Sequence, residues 1–544
     1  MDKKELRRYV LNNAVLYKGK ANLKAVVGHL IGKFPELKKD MMTFMKDLRK
    51  VIDEVNSLSV EKQKKELEKL GMIEKVKKEI KLFDFLKVKK GEKVITAFPP
   101  EPSKYLHIGH AKSIFLNYLL AKEYKGKFYL RFEDTNPELV DNEFYDIILE
   151  DIKWLGIKPD KVQYASDNMD LFYDFGEKLI KSGDAYVCYC SSDTIRDNRM
   201  KKLECKCRYV DTKENLENWK NFFKAKEKSC VVRLKGDMKS KNGVMRDPTI
   251  FRIINKKHPR VGKKYTVWPT YEFQNSVMDG YFKVSYRLRG KEFEAMSELQ
   301  KYLQKLLRFK VTKTYEFARF NMKGILSSGR VIREKISKKE LIGWDDPRLT
   351  TLIALRRRGF LSEAIEDFVV STGISKSEST MTWDDLIIKN KRIIDDVANR
   401  YFFIAKPKKI KIKGFSGKDV SAPLHPDHLD RGSRKLKVNG DFYVEDSLKR
   451  GKNYRFMHLF NFKDKEIVSE EFDKDLKAQL LHWLPVSKDL VKVKILMDDG
   501  KFISGLCEPD VSKLKVGDLV QFVRFGFCRL DKKGKTLEFI FTHR

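Results

Sequence analysis

No stretch of this 544-residue chain approaches the ~20 consecutive apolar residues that a membrane-spanning helix needs. Its first residues, Met1-Asp2-Lys3-Lys4-Glu5, contain no apolar core of a signal peptide. Cysteine is scarce: there are seven, an odd number, without the spacing of a secreted disulfide framework. Internal repeats and low-complexity tracts are missing as well. A helical membrane protein, a disulfide-stapled secreted domain and a solenoid are thereby excluded, and the expectation is a chain of the reducing cytoplasm. Negative charge is also in short supply: 77 Asp+Glu stand against 113 Lys+Arg, a formal net charge of +36. A polyanionic partner explains such an excess, because a basic surface gains from counterions released by phosphates. A lysine-rich proteome that coats every protein in lysine is the plainer alternative.

What is present falls into segments. With 42% hydrophobic residues, the chain can build about three to five packed domains. Residues 1–90 read as a helical N-terminal extension. Leu23, Val26, Val27, Leu30 and Ile31 share one face at i, i+3, i+4 spacing, and Phe44, Leu48, Val51, Ile52 and Val55 repeat the pattern. From Glu61 to Lys90 the composition is Lys/Glu-rich, which predicts a charged helix ending in a linker. At Lys93 the character changes. Val94-Ile95-Thr96-Ala97-Phe98 is a buried-strand signal stopped by Pro99-Pro100; a helix follows from about Gly109 to Glu123, then a strand at Phe128-Tyr129-Leu130-Arg131-Phe132. Strand, loop, helix, strand opens a parallel sheet, so the expected fold class is multidomain α/β with a Rossmann-type domain over 91–325. Cysteines and polar loops at about 186–262 read as an insertion in it. Residues 326–400 look helical. Residues 401–544 read as all-β and barrel-like: Val491, Val493 and Ile495 alternate with lysines, and Asp499-Gly500 marks a hairpin.

Two motifs carry chemistry. Phe98-Pro99-Pro100-Glu101-Pro102 runs into Leu106-His107-Ile108-Gly109-His110 between the first strand and its helix, where parallel sheets bind ligands. A helix N-terminus offers free backbone N–H groups and a positive dipole end to phosphate. His107 and His110 add donors, and Gly109 lets a base approach the backbone. Separately, Cys188-x-Cys190 and Cys205-x-Cys207 lie in the insertion. Four thiolates can close a tetrahedral zinc site, although Cys-x₂-Cys is the commoner spacing and four reduced, partly buried thiols are the alternative.

His107-Ile108-Gly109-His110 resembles the nucleotide-binding signature of class I aminoacyl-tRNA synthetases, and Phe98–Lys112 resembles the glutamyl/glutaminyl branch. Leu130–Pro137, Trp154-Leu155-Gly156, Tyr164–Asp167, Trp268–Phe273, Gly343–Leu349 and Leu355–Gly359 follow in that family's order. Leu514–Asp518 and Arg524–Phe527 resemble its anticodon-binding barrels of archaeal and eukaryotic type, and the helical N-terminus resembles archaeal glutamyl enzymes. The resemblance implies ligation of glutamate to tRNA(Glu) with ATP and Mg²⁺, by a monomer, outside membranes. It implies that Pro100, Glu101, Pro102, His107, Ile108, Gly109 and His110, with Ser327, Ser328 and Arg330 of a second signature, bind ATP. It implies that Glu133, Tyr271 and Arg289 bind the amino acid, and that zinc on Cys188, Cys190, Cys205 and Cys207 has a structural role in the arm that grips the acceptor stem. Arg289 favours a side-chain carboxylate over an amide, because its fork presents only donors. A surface ion pair with Arg131 is the plain alternative for Glu133, and contact with the tRNA backbone is the alternative for Arg289. The rival readings are a glutaminyl-tRNA synthetase and a tRNA-binding paralogue without catalysis. Three departures from the family pattern bear on activation. Ala97 stands where an arginine is usual, Ser103-Lys104 replaces Asn-Gly, and the second signature is reduced to Leu326-Ser327-Ser328-Gly329-Arg330.

Overall fold

In the computed structural model, five parallel strands form the central sheet: Ile95–Phe98, Lys127–Phe132, Lys161–Tyr164, Tyr286–Gly290 and Lys313–Phe317. Taken in chain order their spatial order is third, second, first, fourth, fifth. The order reverses beside the first strand, and a parallel sheet opens a crevice at such a switch point, outside the carboxyl ends of the two strands. Here those ends are Phe98 and Gly290. The structure describes residues 2–17, 19–34, 37, 40–71, 82–326 and 328–544.

The chain divides into two compact units, Met1–Lys90 and Gly91–Arg544. In the first unit, helices Lys3–Leu16, Leu23–Lys33, Met41–Asn56 and Val60–Leu70 bury Val10, Leu11, Leu30, Leu48 and Val55. Phe44, Leu48, Val51, Ile52 and Val55 all face that core. Gln63 is buried too, its amide donating to Gly19 O at 2.9 Å and Val55 O at 2.8 Å. The charged helix expected from residue 61 onward stops at Leu70, where Gly71 takes φ +81°. The expected linker falls partly on 72–81, outside the described residues.

In the second unit the insertion is more ordered than its polar composition predicts. Strands Ala185–Cys188, Val231–Leu234, Thr249–Ile253 and Val267–Pro269 form an antiparallel sheet, packed with the helices Met169–Lys181 and Thr212–Phe222 around Phe251, Trp268 and Trp219. Residues 326–400 carry the helices Gly329–Ser337, Leu352–Arg358, Ser362–Ser371 and Trp383–Val397, with one short strand, Ser379–Met381. Beyond them the structure is β. A seven-stranded sheet begins at one edge with Asn399–Tyr401 and ends at the other with Phe403–Ile404. These edges are neighbours in sequence, so the sheet must curl back on itself. Among the described residues, no helix is long and apolar enough to cross a membrane.

Candidate active site

The first strand ends in prolines, which cannot extend the ladder. The loop they start is fastened to the end of the second strand and to the segment beyond it. Glu133 N donates to Pro100 O at 2.9 Å, Asp141 N to Pro102 O at 3.0 Å, and Ser103 Oγ to Glu101 Oε2 at 2.6 Å. The helix Ile108–Glu123 then starts with His107 as its cap. Gly109 N donates to His107 Nδ1, and His107 N donates to His110 Nδ1, both at 3.1 Å. With each Nδ1 accepting, a neutral ring carries its proton on Nε2, and that leaves one donor per histidine. Crowding by the surrounding protein, then Lys104 and Arg319, hold His107 down to about 4, although part of its ring faces solvent. Burial, the neighbouring His107 and the same two cations hold His110 well below its ordinary value. Both rings are therefore neutral donors near pH 7, set on a helix N-terminus that favours anions. Gly109 is required by this packing, because a Cβ there would lie 2.9 Å from the His107 ring.

A second segment supports the same loop. Ile108 N donates to Thr350 O at 3.0 Å, and Leu352 N to Leu106 O at 2.8 Å. Trp344 stacks on Tyr105 with ring centroids 5.1 Å apart. Gly329, which opens the helix Gly329–Ser337, lies against Trp344. The two signatures thus meet through the Tyr105–Trp344 stack. Ser328 caps the second helix without a side-chain bond, and Arg330 is exposed to solvent. Ser327 lies outside the described residues.

The strand Lys127–Phe132 leads into a buried cluster of charged side chains. Arg131 and Glu133 do pair, but the pair is not on the surface: the side chains are 0% and 3% exposed. Arg131 Nε and Nη2 donate to Glu133 Oε1 at 3.2 and 2.8 Å, and Nη1 donates to Asp279 at 2.7 Å. Arg287 shares Asp279, while Asn275 and Gln300 complete a buried polar network. Burial pushes the Glu133 carboxyl upward against the pull of Arg131 and Arg287. For Asp279, the two arginines outweigh burial and hold it low. Among the described residues, Glu133 Oε2 has no hydrogen-bond partner, and neither have Arg289 Nε and Nη1. Tyr271 interacts electrostatically with both Glu133 and Arg289, and burial pushes its hydroxyl up to about 12. A buried acceptor and two buried donors without hydrogen bonds are costly unless a ligand satisfies them. Ala97, on the first strand, is buried and offers no donor.

The four cysteines converge. Their Sγ atoms all lie within 4.8 Å of one another, and Cys188 Sγ is 3.8 Å from Cys205 Sγ. Zinc–sulfur bonds of ~2.3 Å in a tetrahedron give S···S edges of about 3.8 Å, so the donor set fits that ion. A hydrogen bond from Cys188, then Tyr186 and Arg233, hold Cys205 down at about 4, while the same Cys188–Cys205 bond and burial push Cys188 up.

Sequence reading missed Asp279, Asn275, Gln300, Ser297 and Glu316, which come from the helices and strands behind the pocket. It also missed Arg319, which is paired with Glu292 at 2.6 Å and close enough to depress both histidines. No local motif marks them; their roles come from contacts between separate helices and strands.

Residues 93–396 match the family described as tRNA synthetases class I (E and Q), catalytic domain, and residues 398–481 and 480–531 match its two anti-codon binding domain families. The molecule is thereby a class I tRNA synthetase from the catalytic sheet into the C-terminal strands. A glutamate–tRNA ligase of Methanocaldococcus jannaschii is 41% identical over 535 residues, 96% of either chain. One from Pyrococcus abyssi is 38% identical over 99% of either chain, and one from Methanothermobacter marburgensis is 39% identical over 99% of either. The chain belongs to the glutamate–tRNA ligase family.

Proposed function

We propose that this chain ligates L-glutamate to tRNA(Glu) with ATP, through a glutamyl-adenylate, releasing AMP and diphosphate. The observation that carries this reading is the complementary set of buried atoms without a hydrogen bond among the described residues: Glu133 Oε2 on one side, Arg289 Nε and Nη1 on the other. Glu133 holds the α-ammonium, whose arrival offsets the burial that pushes its carboxyl upward. Arg289 pairs with the side-chain carboxylate, and Tyr271 interacts electrostatically with both protein groups. His107 and His110 present Nε2–H to phosphate at the helix start, with Pro100, Glu101, Pro102, Ile108 and Gly109 shaping the loop. Ser328 and Arg330, with Ser327 before them, serve the phosphates from the second signature. Mg²⁺, when bound with ATP, neutralises phosphate charge. No side chain need form a covalent intermediate; positioning and charge complementarity do the work. Cys188, Cys190, Cys205 and Cys207 hold a structural zinc ion in the acceptor-stem arm, and the basic surface binds tRNA phosphates.

The test is pyrophosphate exchange and aminoacylation with tRNA present, comparing glutamate with glutamine. Wild type should charge glutamate strongly in preference. Arg289→Ala should raise the glutamate KM with ATP and tRNA KM nearly intact, and Arg289→Cys should narrow the preference over glutamine. A guanidinium faced with an amide leaves a donor against a donor in a dry pocket, a cost of roughly 1–3 kcal/mol, or about fivefold to 150-fold in selectivity. Equal use of both amino acids, or variants with wild-type glutamate kinetics, would overturn the assignment.

A further inference from the structure

Arg289 has a competitor built into the fold. It lies on the strand Tyr286–Gly290, and its partner position on the adjacent parallel strand Lys313–Phe317 is Glu316. Arg289 Nε is 3.8 Å from Glu316 Oε1, with both side chains at least nine-tenths buried. Ser297, on the helix Glu294–Leu306, joins the two: Arg289 Nη2 donates to Ser297 Oγ, which donates in turn to Glu316 Oε1. The other charges facing this group are already matched. Arg131 serves Glu133 and Asp279, and Arg287 serves Asp279. The buried cluster therefore holds three arginines, 131, 287 and 289, and three carboxylates, Glu133, Asp279 and Glu316. It is balanced before any substrate enters. Glutamate brings a net negative charge into that balance, whereas glutamine brings none.

We propose that Glu316 attenuates the charge of Arg289, and so sets both the affinity for the side-chain carboxylate and its margin over the amide, while Ser297 holds the guanidinium with Nη1 open. Glu316 and Ser297 are positioning residues that act through Arg289. Glu316 offsets a part of the burial that disfavours the Arg289 charge, and Ser297 orients the fork. The same carboxylate repels the incoming one, so the fold trades affinity for an ordered fork.

The inference rests on Arg289 reading the glutamate side chain, and the test separates the two. Glu316→Gln is nearly isosteric and keeps an oxygen for Ser297. It should lower the glutamate KM by at least about threefold, because an opposing charge is removed at short range. It should raise the glutamate-to-glutamine ratio of kcat/KM and leave ATP and tRNA KM unchanged. Glu316→Met, uncharged and of similar volume, must move the KM in the same direction and stands in if the first variant does not fold. Ser297→Ala should raise the glutamate KM, and Ser297→Thr, which keeps the hydroxyl, should restore it. A merely structural Glu316 would give an unchanged or higher KM on neutralisation, and that result overturns the proposal. Arg289→Ala measured alongside discriminates: no change there removes Arg289 itself as the reader. A rise there with no fall in Glu316→Gln removes only the role of Glu316.

Discussion

Arg357 and Asp531, 174 residues apart, are joined by two parallel hydrogen bonds, Nε to Oδ1 at 3.1 Å and Nη2 to Oδ2 at 2.7 Å. The remaining Nη1 donates to Asp345 at 3.0 Å. Next to it, Arg358 Nε donates to Thr542 O at 3.0 Å, and Thr542 Oγ1 donates to Arg358 O at 2.6 Å. The helix Leu352–Arg358 is thus tied at its end to the C-terminal sheet. Its other end begins beside Thr351, which bridges His107. Arg357→Ala removes a two-pronged charged contact whose side chains are 19% and 12% exposed. It should cost about 1–3 kcal/mol. Calorimetry should show a lower unfolding midpoint, with Arg357→Lys recovering part of it. A midpoint equal to wild type would mean that the sheet docks through other contacts.

Gly359 follows in the left-handed region, φ +97°, and a Cβ there would meet Thr542 Oγ1 at 2.7 Å and Leu519 Cδ2 at 3.0 Å. Strain and overlap act together, so Gly359→Ala should lose at least about 1–3 kcal/mol. Gly373, also at positive φ but with open space around it, supplies the control. Gly373→Ala should lose less, and a reversed order in chemical denaturation would contradict the packing argument.

The four-cysteine cluster predicts about one zinc ion per chain in protein purified without chelator, the stoichiometry of one four-ligand site. Cys190→Ser should reduce that content and lower the melting midpoint, because metal affinity adds to folding stability. Chelation of wild type should reproduce the shift, and re-addition of zinc should reverse it only in wild type. A metal-free wild type with an unchanged midpoint and unchanged tRNA affinity would leave the cluster as four reduced thiols.

Much of the catalytic sheet was legible because its signals are local. Pro99-Pro100 punctuates the first strand, and the helix expected from about residue 109 runs Ile108–Glu123. The insertion sheet was not legible. Arg233 and Arg252 interrupt its apolar strands, and Arg233 is tolerated inside with Asp247 O accepting from its Nε at 2.9 Å and Cys205 Sγ from its Nη1 at 3.6 Å. The end of the charged helix was not legible either: Lys/Glu composition marks a helix but not where it stops, here at Leu70. At the site, His107, His110, Glu133 and Arg289 stand in motifs that could be read. Asp279, which holds Arg131 from 148 positions away, and Ser297, which links Arg289 to Glu316, acquire meaning only from contacts across elements.

Asp151 predicts a pH-dependent gain in stability. It lies in the helix Asn142–Trp154, is fully buried, and neither carboxylate oxygen has a hydrogen-bond partner among the described residues. Burial pushes its carboxyl up to about 7, against the pull of Arg356. An unfolded aspartate titrates near ~3.9. Between these values the folded chain keeps a proton that the unfolded chain releases. Stability is therefore undiminished by this group below about pH 4, falls as pH rises toward 7, and carries the whole penalty above it. Asp151→Asn removes the titration while keeping the shape. The variant should match wild type near pH 4 and exceed it by about 1–3 kcal/mol at pH 8, less than the full shift implies because an amide is also unpaired there. Denaturant midpoints across that range decide the matter. Every other titrating group is common to both proteins and cancels in the difference. A gain that did not grow with pH would place its origin in packing, and a loss at pH 8 would show that Asp151 has a charged partner in solution.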